Sequence, residues 1–290
     1  MSQGPGFGFG TMSSVSEWEP ARAAGLAFRE AGPPDGPAVL LVHGYPSSSY
    51  MWVDALNALA ARGLRGVAPD LAGYGDSPPA PPGTWEHHCE IIERFTRELA
   101  LGPTALVLHD WGVMIGLRLA CEHPDTVRAL VISDGGFFSD RRWHDMANTM
   151  RTAGEGERLI EQITREGFEA MMGQISAGMT AEAISEYWKC FSDPERRQGH
   201  LDLYRSGDFD KLVPYEGCVA RLGVPALIVW GERDRFAGVK MAHRFHAEIP
   251  ESQLELFPDA GHFVWEDEPE RTAEVMAEFL ARRLPASASA

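Results

Sequence analysis

Six segments of the chain repeat one pattern: a short apolar run, a turn rich in polar residues or glycine, and then a helix-forming stretch. The segments span residues 38–44, 65–77, 104–112, 128–136, 224–234 and 253–262. Short and wholly apolar runs, such as residues 105–108, are typical of strands buried on both faces. Strands that alternate with helices predict an α/β fold, in which a mostly parallel central sheet carries helices on both faces. In such a sheet ligands bind beyond the carboxyl ends of the strands.

The alternation stops between residues 137 and 214, where the sequence becomes helical and amphipathic. The strand pattern resumes near residue 222, and both flanks are needed to complete one sheet. We therefore predict a helical cap at 137–214, inserted into a core formed by 1–136 and 215–290. Residues 1–16 are expected to be a flexible leader, and residues 285–290 a flexible tail.

Charge and composition exclude several classes of function. The 290 residues carry a formal net charge of -16, which argues against nucleic acid or an anionic membrane surface as a partner. The sequence has no apolar run of 18 residues and no secretory signal, so a cytoplasmic location is expected. The four cysteines are scattered without metal spacing, and we interpret them as free or buried thiols in a reducing compartment. We predict no metal and no cofactor.

Three strand ends carry residues that can act as a set. Asp110 lies at a sharp turn between an apolar strand and a helix, where a charge beside the core is costly. Asp234 and His262 follow two later strands. Asp134, which ends the strand before the predicted cap, is an alternative to Asp234 as the acid of the set.

The chain from about residue 25 to 284 resembles the α/β-hydrolase superfamily, in the branch that holds haloalkane dehalogenases and epoxide hydrolases. The order nucleophile, acid, histidine is the one expected there, with Asp110 at the position that is usually serine. The motifs that carry the resemblance are His43-Gly44-Tyr45-Pro46, Ser48-Ser49-Tyr50-Met51-Trp52, Asp70-Leu71-Ala72-Gly73-Tyr74-Gly75-Asp76-Ser77, His109-Asp110-Trp111-Gly112 and Gly261-His262-Phe263-Val264-Trp265-Glu266-Asp267.

An aspartate in place of serine has a chemical meaning. A carboxylate that attacks a saturated carbon forms an alkyl ester, which water can cleave, whereas serine would form a stable ether. His262 is then expected to deprotonate the water that cleaves the ester, and Asp234 to orient the imidazole. The backbone N–H groups of Trp111 and Tyr45 are the expected oxyanion donors.

The leaving group decides the reaction. An epoxide leaves as an alkoxide and needs an acid, and the resemblance suggests Tyr204 for this role, with Tyr187 the one nearby candidate for a second tyrosine. A halide needs only N–H donors, which Trp111 and either Trp143 or Trp188 could supply. We favour epoxide hydrolysis, with haloalkane dehalogenation as the alternative and a non-hydrolytic binder or cyclising enzyme as a third possibility. The expected partners are a small apolar organic substrate and water, for a monomer or homodimer.

Overall fold

An eight-stranded sheet forms the centre of the computed structural model, which describes residues 20–284. The predicted leader and tail, 1–16 and 285–290, lie outside the described residues. The strands are β1 (Ala21–Ala23), β2 (Leu26–Ala31), β3 (Ala38–Val42), β4 (Arg65–Pro69), β5 (Thr104–His109), β6 (Val127–Ser133), β7 (Ala226–Gly231) and β8 (Gln253–Phe257). Their order across the sheet is β1-β2-β4-β3-β5-β6-β7-β8.

The six predicted strands are β3 to β8, and they pair in parallel. The predicted α/β architecture with a mostly parallel central sheet is therefore confirmed. The sequence did not reveal β1 and β2, which add an antiparallel edge, with Phe28 of β2 opposite Pro69 of β4. Charged Arg29 and Glu30 interrupt the apolar run of β2, so it lacks the signature of a strand buried on both faces.

Helices cover both faces of the sheet: α1 packs against α12, and α2 packs against α3. Every residue of β3, β5 and β7 is buried, as expected for central parallel strands. The core helices are α1 (Val53–Ala60), α2 (Trp85–Glu98), α3 (Trp111–Glu122), α10 (Lys240–Glu248), α11 (Val264–Asp267) and α12 (Pro269–Arg283).

Six α-helices and no strand lie between β6 and β7 in the described chain: α4 (Asp145–Arg151), α5 (Glu155–Gln162), α6 (Arg165–Ile175), α7 (Ala181–Trp188), α8 (Pro194–Ser206) and α9 (Cys218–Arg221). Thr164, Thr180 and Asp193 cap α6, α7 and α8 by accepting hydrogen bonds from first-turn N–H groups. These caps explain why the chain breaks into short helices here.

The helical segment is tied to loops that follow the sheet strands. Lys189 pairs with Asp76 beyond β4 at 2.9 Å, and Ser176 donates to Asp267 beyond β8 at 2.6 Å. The helices therefore stand against the carboxyl edge of the sheet, where the candidate residues of the sequence converge.

The cysteines correct one expectation. Cys121 on α3 and Cys218 on α9 form a disulfide across 97 residues of sequence, while Cys89 and Cys190 are free and buried. The interpretation of all four cysteines as thiols was wrong for Cys121 and Cys218, because spacing along the chain does not show which helices the fold brings together.

Within residues 20–284, the helices are too short or too polar to cross a bilayer. The cytoplasmic location and the monomeric or homodimeric state stay predictions from the sequence.

Candidate active site

Asp110 occupies a strained turn between β5 and α3. Its φ of 51° and ψ of -118° lie where few residues other than glycine are found. The neighbouring backbone is packed too closely for side chains: a Cβ at Gly44 would lie 2.3 Å from Asp110 Oδ1, and one at Gly112 would lie 2.1 Å from the carbonyl oxygen of Val42. These glycines leave room for the tight turn that presents the Asp110 carboxylate at the edge of the sheet.

The turn brings Asp110 to His262 and Tyr45. The backbone N–H of Tyr45 donates to Asp110 Oδ1 at 2.8 Å, and Oδ2 lies 3.5 Å from His262 Nε2. Burial by itself would raise the pKa of Asp110, but hydrogen bonding to His262, its charge and the Tyr45 N–H lower the pKa to about 2. The carboxylate is therefore ionised at neutral pH.

The other ring nitrogen of His262 faces Asp234. Nδ1 lies 2.9 Å from Asp234 Oδ2, and Oδ1 accepts hydrogen bonds from the N–H groups of Phe236 and Ala237 at 2.7 and 3.0 Å. Burial alone would lower the pKa of His262, but Asp234 and Asp110 together raise it well above its ordinary value. The two carboxylates thus favour the protonated form of the imidazole.

The alternative acid, Asp134, has different neighbours. It is fully buried, accepts a hydrogen bond from Gly231 N at 3.1 Å, and lies 3.9 Å from His109 Nδ1. Burial, followed by the charge of Asp234, raises its pKa well above the ordinary value. Of the two candidate acids, the structure therefore brings Asp234 into hydrogen-bonding contact with His262.

Two neighbouring spaces open at Asp110 and share part of their lining. The apolar cavity has a volume of about 150 Å³ and is lined by Tyr45, Pro46, Asp110, His144, Met146, Met171, Met172, Ile175, Tyr204, Phe236, His262 and Phe263. The side recess is smaller, about 30 Å³, and is lined by Asp110, Trp111, Met114, Gly135, Gly136, Arg141, Trp143, His144, Tyr204, Phe236 and Ala237. A mostly apolar pocket with a few convergent polar groups is typical of small-molecule sites.

Aromatic rings from the helical segment close over Trp111. The ring of Tyr204 packs edge-on against the rings of Trp111 and Tyr45, with 5.2 Å between ring centroids in each pair. The rings of Trp143 and Trp111 are stacked, with 5.4 Å between their centroids. Burial raises the pKa of Tyr204, and a hydrogen bond with the Trp111 side chain opposes that rise. Tyr204 therefore stays a neutral phenol beside the carboxylate.

The remaining candidates are turned away. Tyr187 donates its hydroxyl to Glu266, and Trp188 packs against Phe168 and Phe191. The structure thus brings one tyrosine of the helical segment, Tyr204, and one tryptophan of that segment, Trp143, to Asp110.

Sequence reasoning missed Arg141, His144 and Phe236. His144 and Phe236 line both spaces at Asp110, and Arg141 lines the side recess. None of the three belongs to a recognisable motif. Their one common signal is a position shortly after a strand end, which many residues share. In the described part of the chain, no three His, Cys, Asp or Glu side chains are grouped so as to hold a metal ion.

Comparisons with known proteins identify the family of this chain. Residues 37–269 match the alpha/beta hydrolase fold family. A haloalkane dehalogenase of Mycobacterium marinum is 41% identical over 270 residues, covering 86% of each chain. Bifunctional epoxide hydrolase 2 of Sus scrofa is 27% identical, over 88% of this chain and 53% of that protein.

A solved structure gives the same result. The haloalkane dehalogenase DbeA from Bradyrhizobium elkani superposes with a TM-score of 0.79 at 25% identity, over 91% of this chain and 97% of that one. The chain therefore belongs to the α/β-hydrolase superfamily, in the branch of haloalkane dehalogenases and epoxide hydrolases.

Proposed function

We propose that this enzyme hydrolyses carbon–halogen bonds at saturated carbon through an ester on Asp110. The observation that carries the proposal is the indole N–H of Trp143, which is buried without a hydrogen-bond partner among residues 20–284. Trp143 stacks on Trp111 and lines the side recess together with Asp110. A buried donor that lacks an acceptor is costly, and a departing halide is an acceptor that needs no proton.

The named relatives favour the same leaving group. The relative at 41% identity and the superposed structure are both haloalkane dehalogenases. They support the halide alternative better than the epoxide reaction that we favour from the sequence.

In the first step, one Asp110 carboxylate oxygen attacks the carbon that bears the halogen. A carbon–oxygen bond forms, the carbon–halogen bond breaks, and the halide leaves with the electron pair. The ionised state of Asp110 suits this step, because a carboxylate needs no base to become nucleophilic.

In the second step, His262 takes a proton from water, which attacks the ester carbonyl of Asp110. Ester formation removes one of the two negative charges that hold His262 protonated, so its pKa falls when a base is needed. The Tyr45 N–H, already directed at Oδ1, would stabilise the oxyanion. Losing one such donor typically raises the barrier by about 3 kcal/mol. As the tetrahedral intermediate collapses, His262 returns the proton to the departing alkoxide, and the alcohol is released. Loss of the remaining proton to solvent restores the Asp110 carboxylate.

We assign residues 137–214 as a cap over this site. The segment contributes Trp143, Met146, Met171, Met172 and Tyr204 to the walls around Asp110. Thioether and aromatic side chains suit small apolar substrates.

Tyr204 supports epoxide hydrolysis as the second candidate. Its neutral hydroxyl lies beside Trp111 and could protonate a departing alkoxide, which is too basic to leave alone. Tyr187, however, is engaged by Glu266, so the site offers a single tyrosine from the helical segment.

Intact mass spectrometry of the His262→Gln variant tests the function. With 1-bromobutane we expect a gain of one butyl group on Asp110, together with bromide release close to one equivalent. Asp110→Ala is the control and should show neither. An adduct from styrene oxide but none from 1-bromobutane would favour epoxide hydrolysis, and no adduct from either would contradict both reactions.

A further inference from the structure

A cation lines the space that holds the candidate nucleophile. Arg141 follows β6 and the Gly135-Gly136 pair, and its guanidinium forms part of the side recess with Asp110. No carboxylate of residues 20–284 lies within ion-pair distance of it. Its side chain contacts the Phe236 carbonyl at 3.5 Å and the face of Phe209 at 5.3 Å. A partly buried arginine is thus held in place without an anionic partner.

The backbone makes room for this side chain. A Cβ at position 136 would lie 2.1 Å from Arg141 Nη1, so the glycine at this position admits the guanidinium to the recess. Burial lowers the pKa of Arg141 and the charges of Asp110 and Asp234 oppose that shift, but arginine stays protonated in proteins. The recess therefore has a fixed positive charge.

A departing halide does not require such a charge, because the indole N–H groups of Trp111 and Trp143 can donate hydrogen bonds to it. A guanidinium instead presents parallel N–H donors whose geometry matches a carboxylate. An anionic substrate would also be repelled by Asp110 at close range, and a cation in the same recess offsets that repulsion. A cation beside an apolar cavity suits an anionic ligand better than a neutral haloalkane.

We propose that Arg141 binds the carboxylate of the substrate, so that the preferred substrates are short halogenated carboxylates. The proposal rests on the proposed dehalogenation and deepens it. Since Asp110 and Arg141 line the same recess, a carboxylate that binds the guanidinium is only a few bonds from the carbon under attack, whose halide leaves toward the Trp143 N–H. The reaction breaks the carbon–halogen bond, releases halide with its electron pair, and yields the hydroxycarboxylate after water cleaves the ester.

The test compares 2-bromopropanoate with 2-bromopropanamide, which has nearly the same shape but no charge. Bromide release is measured for the wild-type enzyme and for Arg141→Met, Arg141→Lys and Arg142→Met. Arg142 is the exposed neighbour and serves as the matched control. Thermal melting checks that each variant folds.

In the wild type we expect kcat/KM for the carboxylate to exceed that for the amide at least tenfold. Removing one partner of a buried, hydrogen-bonded charge pair should lower kcat/KM for the carboxylate about 30-fold or more in Arg141→Met. The amide should lose far less, Arg141→Lys should retain part of the preference, and Arg142→Met should match the wild type. Equal losses for both substrates, or a preference that survives in Arg141→Met, would overturn the proposal.

Two further measurements separate this inference from the proposed function. If 1-bromobutane and the amide release bromide but the carboxylate does not, dehalogenation stands and the carboxylate site is wrong. If no substrate releases bromide, dehalogenation fails, and calorimetric binding of propanoate decides the role of Arg141. Binding that is stronger than that of propanamide and lost in Arg141→Met supports the site, and its absence in the wild type rejects it.

Discussion

The ends of β6 and β7 differ in a way that their sequences do not suggest. β7 is wholly buried, and β6 is buried except at Arg128. Each is followed within three residues by an aspartate whose side chain has no exposure, Asp134 after β6 and Asp234 after β7. Asp234 meets His262 and two backbone N–H groups. Burial opposes its charge, but these partners lower its pKa. Burial and the nearby charge of Asp234 instead raise the pKa of Asp134 well above its ordinary value.

The difference shows that a position at the sheet edge does not by itself make an acid of the triad. Ionisation depends on hydrogen bonds and charges that come from other parts of the chain. The imidazole that stabilises Asp234 belongs to His262, on the loop after β8. The two N–H groups that donate to Asp234 come from Phe236 and Ala237, in the turn that follows Asp234 itself. Burial and the charge of Asp234 therefore favour the protonated form of Asp134, whereas His262 and the two backbone N–H groups favour the ionised form of Asp234.

The largest effect should come from Asp234→Asn. An amide leaves the shape intact but no longer fixes the tautomer or stabilises the imidazolium, so we expect kcat to fall about 1,000-fold to 10,000-fold. Hydrolysis of the ester should slow most, so that the alkylated enzyme accumulates in a single-turnover experiment read by intact mass. A loss of less than tenfold would mean that Asp134 takes over, and the comparison between the two strand ends would fail.

A smaller effect is expected on stability in Asp134→Asn. In the unfolded chain Asp134 loses its proton near the ordinary pKa of 3.8, whereas the folded protein retains it to higher pH. Between these two pKa values the folded state holds one more proton, so the free energy of unfolding decreases as pH rises. This one group contributes a slope of at most about 1.4 kcal/mol per pH unit.

Urea unfolding of wild type and Asp134→Asn from pH 5 to pH 9 measures that slope. The variant has no carboxyl to ionise, so its stability relative to the wild type should improve as pH rises. The exposed Asp125→Asn is the control and should follow the wild type. Parallel curves for Asp134→Asn and wild type would show that Asp134 is ionised in the folded protein.

The smallest effect should be that of Asp134→Asn on catalysis. An amide resembles a neutral carboxyl group in size and can keep the hydrogen bond from Gly231 N, so we expect bromide release within about threefold of wild type at neutral pH. A much larger loss in a variant that melts like the wild type would assign Asp134 a direct part in the reaction.

Much of this architecture can be predicted from the sequence, because it depends on local pattern. The parallel strands are short apolar runs, and the positions of Asp110, Asp234 and His262 follow from the ends of those runs. The β1–β2 edge, the Cys121–Cys218 disulfide and the position of Arg141 could not be predicted. Each depends on contacts between segments far apart in the chain, which leave no periodic signal.

The choice between the two acids shows the same limit at the site itself. The sequence favours Asp234 and leaves Asp134 as an alternative, and the choice depends on which carboxylate the imidazole ring faces. That orientation is set by the turn at Gly261 and by Asp267, whose Oδ2 accepts a hydrogen bond from the Gly261 N–H at 2.7 Å. Side-chain direction at this precision is a property of the packed structure.

The tight turn at position 110 has a consequence for protein engineering. Its unusual torsion angles depend on the close backbone packing that the neighbouring glycines permit, and not on the carboxylate. We therefore expect the backbone to keep its shape when the side chain is exchanged. The same backbone can therefore present a different nucleophilic side chain at position 110. Installing serine there would redirect the same histidine toward acyl compounds, which makes one codon the natural starting point for converting this enzyme into an esterase.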